Sequence, residues 1–131
     1  IWIGGGTTHG PLKERVFAKK INKKMNRLAI FSVLSKKMAN REIKVVDGIK
    51  PESPKTKTMI SLLKNLLDSK KPKALLIASS ENKKINQAVS NIKGVSAIAS
   101  KSLNVYDLLK SKNIILEKDA VEEIKNHYAK K

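Results

Sequence analysis

Glycines and basic residues are concentrated at the start of this chain, in the first 27 of its 131 residues. Glycine leaves backbone N–H groups accessible, and lysine supplies a mobile positive charge. The basic run leads into a predicted helix, whose N-terminal end already carries about half a positive charge. The pattern therefore predicts an anion-binding site, with phosphate as the obvious ligand. Its members are Gly4, Gly5, Gly6, His9, Gly10, Lys13, Arg15, Lys19, Lys20, Lys23, Lys24 and Arg27.

The composition also indicates a polyanionic partner. Lys and Arg number 28 against 11 Asp and Glu, which gives a net charge of +17. Such a charge is far beyond what solubility needs, and it favours nucleic acid. Only Arg15, Arg27 and Arg41 are arginines, so contact with a phosphate backbone is favoured over the reading of bases. The net charge falls from +9 over residues 1–50 to +2 over residues 101–131, which predicts a binding face toward the N-terminal half.

Catalytic and metal chemistry find little support in the sequence. A dinucleotide fingerprint would need glycine where His9 stands, and no P-loop motif follows the glycines. The glycine turn is therefore either a flexible turn or a loop that contacts a partner through its backbone. No metal-ligand spacing joins His9 and His127, and the absence of cysteine excludes disulfides and thiolate metal sites. Trp2 could stack on a base or pack as an anchor. We expect no catalytic site, metal or cofactor.

Hydrophobic patterning predicts a loop-like arm over residues 1–20 and a single α/β domain over residues 21–131, here called the body. A helix is predicted over 21–40, with one apolar stripe through Met25 and Leu28 and a second face at Ile30, Val33 and Leu34. Later helices are expected at about 54–68, 81–91, 103–109 and from 119 onward. Ser53 is the predicted N-cap of the first of these helices, with Pro54 at its first position, and Ser79-Ser80 is the predicted cap of the second. A capping box at Asp119 is predicted to open the last helix. Val121, Ile124 and Tyr128 are expected to form the inward face of that helix.

Four short apolar stretches between these helices are typical of strands. The run at 74–78 is continuously apolar, as a strand buried on both faces requires. Strands that alternate with helices predict βαβ units, a mostly parallel four-stranded sheet and helices on both of its faces, a Rossmann-like α/β arrangement. The predicted strands are Ile43–Val46, Ala74–Ala78, Val95–Ala99 and Asn113–Leu116.

Several blocks, in the same order along the whole chain, resemble the large-subunit ribosomal protein family L-four in its bacterial form. They are Gly4-Gly5-Gly6 with His9-Gly10-Pro11, residues 22–25 with 27–30 and 32–35, residues 54–57, and Leu103-Asn104-Val105-Tyr106-Asp107-Leu108-Leu109 with Lys118-Asp119-Ala120. The resemblance implies a three-layer α/β/α fold with a parallel four-stranded sheet. It also implies a non-enzymatic protein without cofactors that binds large-subunit rRNA directly and early in assembly.

The resemblance implies further partners and a location. The family carries a long loop near the peptide exit tunnel, beside neighbouring ribosomal proteins and the nascent peptide. This chain is expected to begin at the returning arm of that loop, without the preceding segment and most of the loop. We expect a component of the bacterial ribosome in the cytoplasm, with an organellar ribosome as the other location, and no homo-oligomer. Some bacterial members repress translation of their own operon through its leader RNA.

Mapped onto this chain, the family function assigns the glycines and His9 to the rRNA backbone and the basic run to its phosphates. Asn104 either contacts RNA or caps the short helix that follows it. Two other functions stay open at this stage. Binding to a regulatory mRNA leader would use the same features. A nucleotide-dependent enzyme would need a phosphate loop at the carboxyl edge of the sheet, and none is visible in the sequence.

Overall fold

The computed structural model describes residues 2–49, 55–67, 69, 72–79 and 82–129. Helices and strands alternate in the predicted order, and each of the four predicted strands is present. The elements are a 3-10 turn at Ile3–Gly6, α1 (Lys23–Ala39), β1 (Ile43–Val46), α2 (Thr56–Leu67), β2 (Ala74–Ala78), α3 (Lys83–Val89), β3 (Val95–Ala99), a 3-10 turn at Ser100–Ser102, α4 (Val105–Lys110), β4 (Asn113–Glu117) and α5 (Lys118–Tyr128).

The four strands form one parallel sheet in the order β1-β4-β2-β3. Strand β2 lies in the interior of this sheet, and Ile77 is level with Ile98 of β3 and Leu116 of β4. All five residues of β2 are buried. The continuous apolar run predicted this burial, because helices cover both faces of a parallel sheet.

Each face of the sheet has its own hydrophobic core. Leu76 of β2 packs with Met59 of α2 and Ile85 of α3 on one face. Leu75 and Ile77 point to the other face, since successive side chains of a strand alternate. There they join a core with residues of α1, α4 and α5. The expected three-layer α/β/α fold is confirmed.

Helix α1 differs from the prediction in the face that it buries. Met25 and Leu28, predicted to form an apolar stripe, are 62% and 70% exposed. The second predicted face is the one that packs, since Ile30 is fully buried and Val33 and Leu34 pack against the same core. The prediction for Met25 and Leu28 is wrong because a helix on a sheet buries one face, and theirs points away from the core.

Helix α5 begins at Lys118, directly after β4 and ahead of the predicted start at Asp119. Glu117 takes the N-cap position, and no side-chain hydrogen bond caps the helix. The predicted capping box at Asp119 is therefore wrong. The inward face is formed by Ala120, Ile124 and Tyr128, whereas Val121 is 42% exposed and faces an open groove. The spacing i, i+4, i+8 explains this face, which Val121 does not share.

Two other predicted helix starts have different outcomes. Asn82, not Ser79, takes the N-cap position of α3. The Ser79 hydroxyl donates instead to Oε1 of Glu123 at 2.6 Å. Ser80, Ser53 and Pro54 lie outside the described residues.

Tyr128 ties the end of α5 to the connection between β3 and α4. Its hydroxyl donates to the carbonyl oxygen of Lys101 at 2.9 Å. Burial raises the pKa of Tyr128 above its ordinary value of 10.0, and a backbone hydrogen bond with Leu103 partly opposes this rise. In the described part of the chain, no helix has the length and apolarity to cross a membrane.

Candidate nucleic-acid interface

The glycine turn is held in a conformation that favours glycine. Gly4, Gly5 and Gly6 have φ angles of 69°, 71° and 75°, in the left-handed region that other residues rarely adopt. The N–H of Gly5 donates to the Trp2 carbonyl at 3.3 Å. A Cβ atom at Gly4 or Gly5 would meet nothing within 4 Å. These glycines therefore set the backbone path of an open turn and do not make room for another part of the chain.

The rest of the arm is also open to solvent, and every residue from 2 to 26 is exposed. His9, Gly10, Lys13, Lys19 and Lys20 are included, so the structure places these predicted site residues along one accessible segment. Such a segment can contact a partner through its backbone and its cations at the same time.

Two aromatic residues of the arm are exposed beside the glycines and cations. Trp2 is 83% exposed, so its indole is available for stacking and does not act as an anchor on the described body. The Arg15 guanidinium lies 5.1 Å from the centroid of the Phe17 ring. This cation–π arrangement holds the guanidinium on the outside of the arm, where its N–H groups can reach an anion.

The start of α1 adds a positive end to the arm. The side chain of the N-cap residue, Asn22, makes no capping hydrogen bond, and the first turn contains no acidic residue. The first turn instead carries Lys23 and Lys24, both exposed, and the half-buried Arg27 follows in the next turn. First-turn N–H groups and lysines together favour an anion at this point.

Asn104 lies on a different element from the arm. Its Oδ1 accepts from the Asp107 N–H at 2.7 Å, and its Nδ2 donates to the Asp107 carboxylate at 2.7 Å. Asn104 is therefore the N-cap of α4, one of the two roles that the sequence allowed. Both polar groups of its side chain are used within the chain.

The carboxyl edge of the sheet, where α/β enzymes hold their ligands, carries a buried carboxylate among its described residues. Ligands of such folds bind where the strand order reverses, which in this sheet is between β2 and β4. The buried carboxylate of Glu117 occupies that place. It accepts hydrogen bonds from the N–H groups of Ser79 at 2.9 Å and Ile49 at 3.4 Å, and from Nδ2 of Asn82 at 3.4 Å.

A second carboxylate lies beside the first. Glu123 of α5 accepts from the hydroxyls of Ser79 and Ser100, which follow β2 and β3. Two carboxylates whose hydrogen bonds are made within the chain would repel the phosphates of a nucleotide. The sequence did not predict either role. Glu117 ends a strand and Glu123 lies in the helix that follows, and neither position indicates which loops the carboxylates join.

No group of three or more His, Asp or Glu residues that could hold a metal ion is found in the described ranges. The molecule is thus a strongly basic α/β protein with an exposed cationic arm and two hydrogen-bonded carboxylates at the carboxyl edge of its sheet. A family model described as "Ribosomal protein L4/L1 family" matches residues 1–127. The chain belongs to this family of structural, non-enzymatic proteins, in agreement with the expectation that it is not an enzyme.

Curated relatives support the assignment. Large ribosomal subunit protein uL4 of Alkaliphilus metalliredigens is 41% identical over 129 residues, which cover 98% of this chain and 61% of that protein. The protein of the same name from Clostridium beijerinckii is 39% identical over 128 residues, 98% of this chain and 60% of that protein. Its counterpart from Thermoanaerobacter sp. is 41% identical over 129 residues, with the same coverage. The chain spans about three fifths of the length of these relatives.

Proposed function

We propose that this chain is a structural component of the large ribosomal subunit that binds large-subunit rRNA directly, through the arm and the start of α1. The division of the chain into an arm over 1–20 and a body over 21–131 is part of this proposal. The observation that carries it is the exposed arm, which joins left-handed glycines and lysines to an uncapped, positive helix end. The names of the relatives support the choice of ribosomal RNA.

The mechanism is electrostatic. Lysines that contact phosphates release condensed counterions, and six to ten such contacts would lower the affinity by roughly 10³–10⁵ between about 50 and about 200 mM salt. The glycine turn brings backbone N–H groups close to the RNA, and the indole of Trp2 stacks on an unpaired base. The body holds this surface in place.

Other aspects of the proposal follow the family resemblance. Binding occurs early in assembly, in the cytoplasm of a bacterium or in an organelle, beside neighbouring ribosomal proteins. The loop that precedes the arm in the family reaches the exit tunnel and the nascent peptide. The bound chain is a single copy. A regulatory mRNA leader would be recognised by the same arm, and RNA competition separates it from rRNA.

The test is a binding titration of the full chain against large-subunit rRNA, a leader RNA and a random RNA of equal length. We compare wild type with the double variant Lys23→Ala, Lys24→Ala across about 50 to about 200 mM salt. Loss of two phosphate contacts should reduce the slope of log affinity against log salt by about 1.5.

The matched control is Lys118→Ala with Lys125→Ala. Both are exposed lysines of α5, so the control removes the same charge outside the arm. It should leave the slope close to that of wild type. Unchanged affinity and slope in the Lys23, Lys24 variant, or equal binding of all three RNAs by wild type, would contradict the proposal.

A further inference from the structure

A second group of lysines lies at the amino edge of the sheet, where the strands begin. Two adjoining cavities of about 660 and about 430 Å³ open there, and they share Lys73 and Gly94. Lys73 precedes β2, Gly94 precedes β3 with a φ of 86°, and Lys112 precedes β4. The parallel sheet thus brings together cations from three separate parts of the chain. The lining lysines, here called the amino-edge site, are Lys64, Lys73, Lys93, Lys110 and Lys112.

No described lining residue compensates the charge of the amino-edge site. All five lysines are exposed, and no carboxylate lines either cavity among the described residues. Glu42, the described acidic residue just ahead of β1, is already paired with Lys37 at 3.1 Å. Lys37 in turn donates to the carbonyl oxygens of Ser111 and Lys112 at 2.8 and 2.9 Å. Clustered like charges cost repulsion energy, which a bound polyanion would relieve.

The lining of the site suits a nucleotide chain better than a free ion. The larger cavity is lined by the apolar residues Ile60, Pro72 and Ile92 together with exposed lysines. The smaller cavity adds the polar residues Ser96 and Ser111. A phosphodiester chain offers phosphates to the lysines and a sugar or base face to the apolar residues.

The amino-edge site is separate from the arm. Lys37 reaches the amino edge from near the end of α1, while Lys23 opens the same helix 14 residues earlier. A rise of 1.5 Å per residue puts the two about 20 Å apart along the helix axis. This exceeds the Debye length of about 8 Å at physiological ionic strength. The two basic surfaces therefore attract phosphates independently.

We propose that the amino-edge site binds a second segment of RNA backbone, so that the body lies between two segments of the same folded RNA. The inference rests on the proposed function, because it presumes that the arm engages rRNA. It adds a contact surface on the body itself, made by lysines that come together only in the folded sheet.

The test uses the full chain with Lys73→Ala and Lys112→Ala combined, and the double variant Lys118→Ala, Lys125→Ala as control. Hydroxyl-radical footprinting on large-subunit rRNA should show two protected segments with wild type. The amino-edge variant should lose one segment and keep the other, while the Lys23, Lys24 variant should do the reverse. The salt slope should fall by about 1.5 in the amino-edge variant and stay unchanged in the control.

Thermal unfolding measured by circular dichroism shows whether each variant is folded, and exposed lysines should be removable without loss of structure. If the amino-edge variant keeps both footprints and the wild-type slope, this inference is overturned and the proposed function stands. An equal loss in the control pair also overturns it, because bulk charge would then account for the effect. If wild-type protein leaves no footprint on rRNA, both proposals fail.

Discussion

The arm and the central strand of the body differ in how they place large apolar side chains. In the body, Leu75 and Ile77 of β2 are fully buried between two layers of helices. In the arm, Trp2, Leu12 and Phe17 are each more than 70% exposed. A scattered exposed leucine is ordinary on a protein surface, but several exposed apolar residues within one short segment rich in glycine and lysine are typical of a binding segment.

The difference separates what stabilises the fold from what remains for a partner. Burial stabilises by about 25 cal/mol for each Å² of apolar surface removed from water. The body already has this stabilisation, whereas the arm can obtain it only in a complex. Changes in the body should therefore alter the free energy of unfolding, and changes in the arm should alter binding alone.

The largest effect on stability is expected for Ile77→Ala. Ile77 is fully buried in the centre of the sheet, so truncation leaves a cavity and should cost about 2–5 kcal/mol of unfolding free energy. Its arm counterpart is Phe17→Ala, which should change stability by less than about 0.5 kcal/mol. Urea unfolding of both variants followed by circular dichroism measures the difference.

The rRNA affinity of the same two variants is the second measurement. At a temperature where both variants are folded, Ile77→Ala should bind rRNA as wild type does, and Phe17→Ala should bind more weakly. A destabilisation of similar size in both variants would break the comparison, because the arm would then pack on the body in solution.

The same contrast holds for lysine. Lys37 of α1 is buried, and its ammonium group donates to Glu42 and to two carbonyl oxygens of the connection before β4. Lys37→Ala would leave these acceptors without their donor, which should cost about 2 kcal/mol of unfolding free energy. Lys36→Ala, the exposed neighbour on the same helix, should cost less than about 0.5 kcal/mol.

Equal stability of the Lys37 and Lys36 variants in urea unfolding would show that water replaces the buried ammonium at no cost. Equal stability would also mean that the Lys37 contacts are not needed to hold the end of α1 at the amino edge. The expected gap would instead show that Lys37 stabilises the fold although the chain as a whole is highly charged.

The order of strands and helices could be predicted because its signals are local. Short apolar runs, turn residues and helical spacing each lie within a few residues, as at Ala74–Ala78. The orientation of α1 could not be predicted in this way. Met25 and Ile30 are both apolar, and which of them is buried depends on how the helix packs on the sheet. The role of Glu117 depends on loops after β1 and β2, which come together only once the sheet has formed.

The candidate site shows the same limit. The arm could be predicted as a candidate site because its glycines and lysines lie close together in the sequence. The amino-edge site was not, since Lys73 and Lys112 are 39 positions apart and neither stands in a motif. Asn104 belongs between these cases, because its type allowed both a cap and an RNA contact and the sequence could not choose.

Asn104 gives the smallest expected effect. Asn104→Ala removes the acceptor for the Asp107 N–H and should cost about 1 kcal/mol of unfolding free energy. Asn104→Ser keeps a hydroxyl acceptor at the N-cap position but lacks the amide donor, and should recover most of that loss. Urea unfolding of the two variants measures the capping role.

The rRNA affinity of the same variants decides whether Asn104 has a second role. Because Asp107 engages both polar groups of Asn104, we expect the serine variant to bind rRNA within about twofold of wild type. A serine variant with recovered stability and clearly weaker binding would mean that the amide leaves Asp107 to contact RNA. The binding surface would then extend beyond the arm to the start of α4, and the separation of fold from binding would not hold at this residue.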